Sequence, residues 1–446
     1  MSTSLRESTG ASGSSSHGSS ALPRFFYGYV ILALCLLNMV VMRGINGAFS
    51  VYYLALLETF GWSHTDGASV ASANFVVYAL TAPFVGLAFD RFGPRILMPF
   101  GGLLVGSGLL LTSFAASLWD LYLSYGVVTA IGQGALGFVG HTALISSWFV
   151  RRRATAIGIA SMGQGLGALI MVPASQYLID HIGWRSAYTV TAAALLFAVV
   201  PANALLQRRR PEDVGQFPDG EPDTASPDHG GARHRAHEKN WTLRDATSAW
   251  PFWCIVIGHF ALGTAVFMIA THIVAHYVFL GYEKLTSAFI AGLIGFIRIG
   301  GTVVWGFLSD RLSRAKAYWL ATIVACVGIV GFIATPARAP VWFAYLSAVL
   351  FSLGHSAGTP TYGAVISDIF SGRRLGLIFG CLEVSFGLGS AFGAWIGGFL
   401  FDLSGSYTSA FSACLSCFAV SALAIQSALK WQAAAVRTGH GSEPGP

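Results

Sequence analysis

The sequence predicts an all-α membrane protein of twelve transmembrane helices, arranged in two pseudo-symmetric six-helix halves. Composition is the first reason. Of 446 residues, 54% are hydrophobic and only 10% charged, where soluble domains carry about 25% charged residues; mean hydropathy is +0.62. The second reason is the apolar runs. A bilayer core of about 30 Å needs roughly 20 helical residues, and twelve runs of that order follow one another along the chain. The third is repetition. GLAFDRFGPR (86–95) returns as GFLSDRLSR (306–314), WFVRRR (148–153) as IFSGRR (369–374), and LIDHIGWRSAY (178–188) as LFDLSGSYTSAF (400–411). All three pairs are about 220 residues apart, so one six-helix unit is present twice.

Residues 1–25 are polar and rich in Ser and Gly, with no apolar run before a cleavage site. They read as a disordered cytoplasmic N-terminus rather than a signal peptide. The first half, 26–206, has spans at 26–54, 67–89, 96–115, 119–147, 155–179 and 184–206. Residues 207–250 hold Pro211, Pro218, Pro222 and Pro227 among mixed charges and read as a cytoplasmic linker. The second half, 251–430, has spans at 251–280, 286–308, 317–335, 341–367, 375–400 and 407–430, and 431–446 form a cytoplasmic tail.

Charge orients the chain. Of 26 Lys and Arg, Arg185, Lys284 and Arg338 fall outside, Arg43 and Arg298 fall within spans, and the remaining 21 share the side of the N-terminus. The positive-inside rule then places both termini in the cytoplasm of a protein of the cell membrane. The net charge of +6 is explained by that anchoring and asks for no nucleic-acid partner. The six cysteines lie in spans; Cys414 and Cys417 form a CxxC with no second ligand pair, so they read as packing residues. His272 and His276 have a zinc-like spacing but no third ligand. No metal or cofactor is expected. No nucleophile–base pair shares one depth, which argues against an enzyme.

The stretch Gly86-x-x-x-Asp90-Arg91-x-Gly93-x-Arg95 resembles the cytoplasmic motif between helices 2 and 3 of the major facilitator superfamily. The copy with Asp310 and Arg311 is its second-half version, in which Ser313 replaces the glycine. The resemblance covers roughly residues 26–430 and implies the major facilitator fold, with transport by alternating access. Asp90, beside Arg91 and Arg95, then serves as a gate clamp at the inner helix ends. An exposed ion pair alone contributes only ~0–1 kcal/mol, but the motif's presence at two equivalent places favours the clamp. A narrower likeness lies in WFVRRRATAIGIASMG (148–163). It is similar to the helix 4–5 signature of monocarboxylate porters, matching at Phe149, Arg152, Arg153, Ala156, Gly158, Ala160 and Gly163, and to oxalate/formate antiporters. The helix 1 box of the porters is half present, as Tyr27-Gly28-Tyr29 with Phe26 in place of an acid. Porters also resemble one another in an Asp-x-x-x-Arg pair on helix 8. Here Thr302 stands at the arginine's place and Arg298 at the acid's. Where the antiporters carry a base on helix 11, this chain has Glu383.

Polar groups inside spans are costly and usually face a cavity. By helical rise, Arg298 lies about 18 Å, Glu383 about 14 Å, His355 about 20 Å and His141 about 15 Å from the inner edge. These four, on the eighth, eleventh, tenth and fourth spans, are expected to converge on the midplane. Arg43 is placed about 25 Å up, in the outer half, where Gly44, Asn46 and Gly47 suggest a loosened helix. An arginine stays charged when desolvated and presents a fork that fits a carboxylate. The predicted site is therefore Arg43, Arg298, His355, His141 and Asn46 for substrate, with Glu383 for a coupling proton. The expected function is secondary active transport of a small organic anion, a monocarboxylate, across the bilayer, with protons as possible co-substrate and a monomer as the working unit. Two alternatives stand beside it: a carrier of neutral or cationic solutes in which Arg298 and Glu383 form a permanent pair, and a transporter-like membrane sensor.

Overall fold

The computed structural model describes residues 25–220, 241–337, 339–370 and 375–437, and the described residues are helical without a strand. Before the linker run α1 (Gly28–Phe60), α2 (His64–Phe92), α3 (Pro94–Ser113), α4 (Leu118–Leu121), α5 (Ala130–Ala135), α6 (Phe138–Trp148), α7 (Arg153–Ala194) and α8 (Val200–Leu206). The short α9 (Leu243–Ser248) leads into α10 (Trp250–Phe279), α11 (Lys284–Arg311) and α12 (Arg314–Ala334). The chain ends with α13 (Val341–His355), α14 (Gly358–Ile369), α15 (Leu375–Ser404) and α16 (Thr408–Arg437).

Ten helical stretches among the described residues are long and apolar enough to cross a membrane. One of them, Thr155–Leu206, has 52 residues. Straight, it would be about 78 Å long. It breaks at Gly183, whose φ of 78° suits glycine alone, between the predicted fifth and sixth spans. The fourth and tenth spans also break, at Leu136–Gly137 between α5 and α6 and at Ser356–Ala357 between α13 and α14. Those two breaks are again about 220 residues apart, so the repeat extends to its irregularities.

Three boundaries differ from expectation. Helix α1 runs on to Phe60 rather than stopping at 54, because the apolar run continues to Leu57 and Gly61 caps the helix in the left-handed conformation. Helix α16 continues to Arg437, so the start of the expected tail is helical. The first part of the linker is folded against the helices. The Gln216 side chain accepts from the Tyr27 amide (2.9 Å) and donates to the Phe25 carbonyl (2.8 Å). The Asp219 carboxylate accepts from the Val150 and Arg151 amides. Residues 1–24, 221–240, Arg338, 371–374 and 438–446 lie outside the described residues, and with them most of the expected N-terminal segment.

The side bearing the linker is called here the linker side, and the opposite one the far side. Helices α2 and α15 pack together, as do α7 and α11, and their glycines report how the gap varies with depth. Towards the far side, the Cβ position of Gly387 meets Ala79 and that of Gly398 meets the His64 backbone; that of Gly165 meets Ile299, and that of Gly295 meets Ala168. Towards the linker side, Gly86, Gly158, Gly306, Gly376 and Gly380 have no described neighbour within 4 Å of the Cβ position. The four helices therefore diverge: the molecule is closed on the far side and open on the linker side.

The turn of the repeated motif explains one residue. Gly93 ends α2 at φ 73°, with Pro94 starting α3. Its counterpart Ser313 takes φ 157° and ψ 148° before α12, a region used almost only by glycine and costing a side chain about 1–3 kcal/mol. Its hydroxyl accepts only a long bond, 3.4 Å, from the Lys316 amide. Ser313→Gly is expected to stabilise the protein by about 1 kcal/mol, seen as a rise of about 1–3 °C in the thermal unfolding of purified protein. An unchanged or lower midpoint would contradict the strain.

Candidate functional site

A cavity of about 70 Å³ lies between the helices that precede and follow the linker. That is several times the ~10–15 Å³ a water requires. Arg43 and Asn46 from α1, Arg298 from α11 and His355 from α13 all line it. Four of the five predicted substrate residues thus meet. The chain builds this simply. Arg298 is near the middle of the 28-residue α11, and Arg43 near the middle of the 33-residue α1. The expected outer-half position of Arg43 is corrected by the extra length of α1. The expected loosening there is absent: α1 is continuous, and Gly44 and Gly47 instead let α7 approach through Met171, Val172 and Ala168.

The guanidinium of Arg43 sits over the Phe267 ring, 5.2 Å from its centroid, a favourable desolvated cation–π contact. Arg298 donates from Nη2 to Thr359 Oγ1 at 3.2 Å. The Thr302 hydroxyl bonds the Arg298 carbonyl (2.9 Å), so the residue aligned with the porter arginine supports the turn that carries Arg298. His355 donates from Nδ1 to the Phe351 carbonyl (3.2 Å), and its ring stacks on Phe351 at 4.8 Å. The two guanidinium groups repel each other, and among the described residues no Asp or Glu lines the cavity to balance them. Among the described residues neither arginine is paired with a carboxylate. Aromatic side chains, among them Phe49, Phe75 and Phe351, supply an apolar wall. The site thus offers two cationic forks against an apolar surface, which is the complement of an organic anion.

Composition and depth missed Asn74, Tyr125, Gln164 and Thr359. The first three line the cavity, Asn74 donating to the Tyr125 carbonyl at 2.8 Å. Uncharged polar residues are common in helices, and only their facing direction marks these.

His141 is not part of the site. It is buried inside the first half, where Nδ1 donates to the Gly137 carbonyl (2.8 Å) and Nε2 accepts from Asn38 (3.1 Å). Asn38 and Asn203 exchange two further bonds of 2.9 Å, so His141 completes a satisfied structural network joining α1, α6 and α8. Glu383 does not line the cavity either. It is exposed, one turn from the α2–α15 contact at Gly387, on the linker side, and within electrostatic reach of Tyr78 on α2. Among the described residues no ion pair joins it to Arg298. His272 and His276 point apart: their Nε2 atoms donate to the Ala394 and Phe332 carbonyls on different helices, so they form no metal site. Cys414 packs against Ala265 and Met268.

Of the gate motif, Arg91 lies over its neighbour Phe92 (5.3 Å) and Arg311 over Phe307 (4.2 Å). Arg95 is exposed at the start of α3. The side chains of Asp90 and Asp310 lie outside the described set.

Comparison with known proteins gives the family and the fold. The family model described as Major Facilitator Superfamily matches residues 32–346 and 299–440. The chain is 28% identical over 387 residues to monocarboxylate transporter 13 of Bos taurus, covering 86% of this chain and 85% of that one. It is 26% identical over 422 residues to monocarboxylate transporter 12 of Homo sapiens, covering 87% and 78%. With monocarboxylate transporter 3 of Rattus norvegicus it shares 29% over 334 residues, covering 74% and 65%. The fold matches a bacterial homologue of the human lysosomal transporter Spinster, solved inward-facing and unoccupied. The TM-score is 0.71 at 18% identity, over 91% of this chain and 98% of that one.

Proposed function

Because the chain belongs to the Major Facilitator Superfamily, we propose that this membrane transporter carries a small organic anion, a monocarboxylate, by alternating access. The observation that carries the reading is the cavity with two guanidinium groups, Arg43 and Arg298, between the halves, lined by no Asp or Glu among the described residues. A carboxylate entering there relieves the repulsion between them and takes a bidentate bond from a fork. Its apolar body meets the aromatic wall. The runner-up reading, a carrier of neutral or cationic solutes, needs Arg298 neutralised by Glu383, and its hydrogen bond goes to Thr359 instead.

The further parts of the reading follow. Twelve spans result if the break at Gly183 divides Thr155–Leu206 in two and α2 spans beside α15. The positive-inside rule makes the linker side cytoplasmic and the membrane that of the cell, so the conformation described is inward-open. The carrier works as a monomer. Glu383, exposed beside the opening, is the proton carrier.

The test is uptake by proteoliposomes with a panel of labelled carboxylates, with and without a pH gradient. Uptake of at least one monocarboxylate, and none of cationic solutes, is expected. In Glu383→Gln, pH-driven accumulation should fail while exchange and protein yield persist. A substrate confined to neutral or cationic solutes would overturn the anion reading, and full pH-driven accumulation by Glu383→Gln would remove its proton role.

A further inference from the structure

On the far side, the first turn of α2 is capped by the other half of the molecule. A helix begins with backbone N–H groups that have no partner within it. In α2, Ser63 Oγ accepts from the Asp66 amide at 3.0 Å. The two preceding amides, His64 and Thr65, donate instead to the carboxylate of Asp402, at 3.0 and 2.8 Å, and the Thr65 hydroxyl adds a third bond at 2.5 Å. Asp402 lies near the far end of α15, more than 330 residues along the chain. Its negative charge also faces the positive end of the α2 dipole. Gly398, one turn earlier, makes the approach possible, since a Cβ there would collide with the His64 carbonyl.

Around this contact the two halves interlock through His64. Its Nδ1 lies 2.9 Å from the Tyr53 hydroxyl of α1 and 2.8 Å from the Tyr407 hydroxyl beside α16. The ring packs on Phe401, 3.9 Å between centroids. Beside it, Lys284 of α11 pairs with Glu58 of α1 at 2.7 Å. The internal repeat shows that the arrangement is not a general feature of the unit. Asp180, the repeat counterpart of Asp402, accepts from Gln176 on its own helix (2.8 Å), and among the described residues it caps no helix across the interface.

We infer that Asp402 is the latch of the far gate: by capping α2 from the opposite half, its carboxylate holds the far side shut, and its release from His64 and Thr65 is a step in opening that side. The inference rests on the alternating-access reading and is independent of the cargo. Opening the far side must separate α2 from α15, which exposes two backbone donors to water and costs three hydrogen bonds to a charged acceptor, the strong kind. Asp402→Ala removes that cost only from the closed state, so it shifts the population towards far-side opening.

The test is a pair of distance measurements by pulsed electron spin resonance on purified protein, with labels attached through bio-orthogonal side chains. One pair, at Ala116 and Ala337, reports the far side, and the other, at Arg152 and Leu312, the linker side; all four are exposed. Asp402→Ala should add a longer far-side population and a shorter linker-side one. Thr65→Ala, which removes only the hydroxyl bond, should do the same to a smaller extent. A purely structural Asp402 would lower the melting temperature and leave both distributions alone. Unchanged far-side distances in folded Asp402→Ala overturn the latch; if that variant does not fold, unchanged distances in Thr65→Ala do so. Far-side widening with a fixed linker side keeps the latch and overturns alternating access.

Discussion

Arg298→Lys is expected to lower kcat/KM for the proposed carboxylate cargo about 10- to 100-fold while leaving the yield of folded protein near that of the wild type. The loss follows from geometry. A guanidinium binds a carboxylate with two parallel bonds, and a hydrogen bond to a charged group contributes about 1.5–3 kcal/mol. Lysine keeps the positive charge but not the fork, and its ammonium cannot serve Thr359 and a carboxylate with the same spacing. Folding should be spared, because Arg298 is half-buried and makes one side-chain bond, to Thr359. Uptake and thermal unfolding measured on the same preparation separate the two effects. Wild-type uptake by Arg298→Lys would remove the bidentate role, and loss of folded protein would assign Arg298 to stability. Arg43 offers a contrast: a lysine there still lies over Phe267, so Arg43→Lys should be the milder change.

Depth was legible in the sequence; direction was not. A helical rise of about 1.5 Å per residue put Arg298, His355 and His141 at similar depths, and for the first two that sufficed. His141 shares the depth but faces Asn38 inside its own half, because counting residues gives height along a helix and not azimuth about it. Arg43 failed in height alone: the end of α1 was drawn at 54, and the six further residues to Phe60 lower Arg43 to the middle. Glu383 differs in position. It is expected at the midplane as the coupling-proton residue, with a pair to Arg298 only as the alternative, whereas it is exposed on the linker side and does not line the cavity. The repeat was legible from its three motif pairs; the breaks in the fourth and tenth spans, which those motifs do not mark, follow the same offset. The latch was not legible. Asp402 and His64 are separated by most of the chain, and no local pattern announces a helix capped from the other half.

The glycines of α15 carry the last expectation. Gly389, Gly393 and Gly397 follow at spacing four and so share one face, which the sequence suggests is the sliding surface towards α2. The structure turns that face the other way. The Cβ positions of Gly389 and Gly393 fall on the Phe260 and Thr264 carbonyls of α10, and that of Gly397 on His272 and Met268. The α2 contacts belong to Gly387 and Gly398 instead. Because α10 and α15 touch backbone to backbone, side chains of α10 reach the α15 carbonyls: Thr264 bonds Gly389 (3.1 Å) and His272 bonds Ala394 (2.9 Å). Gly393→Leu would drive the helices apart at the centre of this contact. Overpacking costs about 1–3 kcal/mol, and each buried bond lost adds roughly 1 kcal/mol, so a destabilisation of about 3 kcal/mol or more is expected. Folded yield and melting temperature should fall sharply, with no special dependence on substrate. Gly387→Leu makes the informative control, since its Cβ faces Ala79 across the interface between the halves. That variant should fold and bind yet turn over slowly, because the wedge stands where the halves must slide. If Gly393→Leu instead folds like the wild type and only its turnover fails, the α10–α15 contact is not the static one described, and that face belongs to the moving surface.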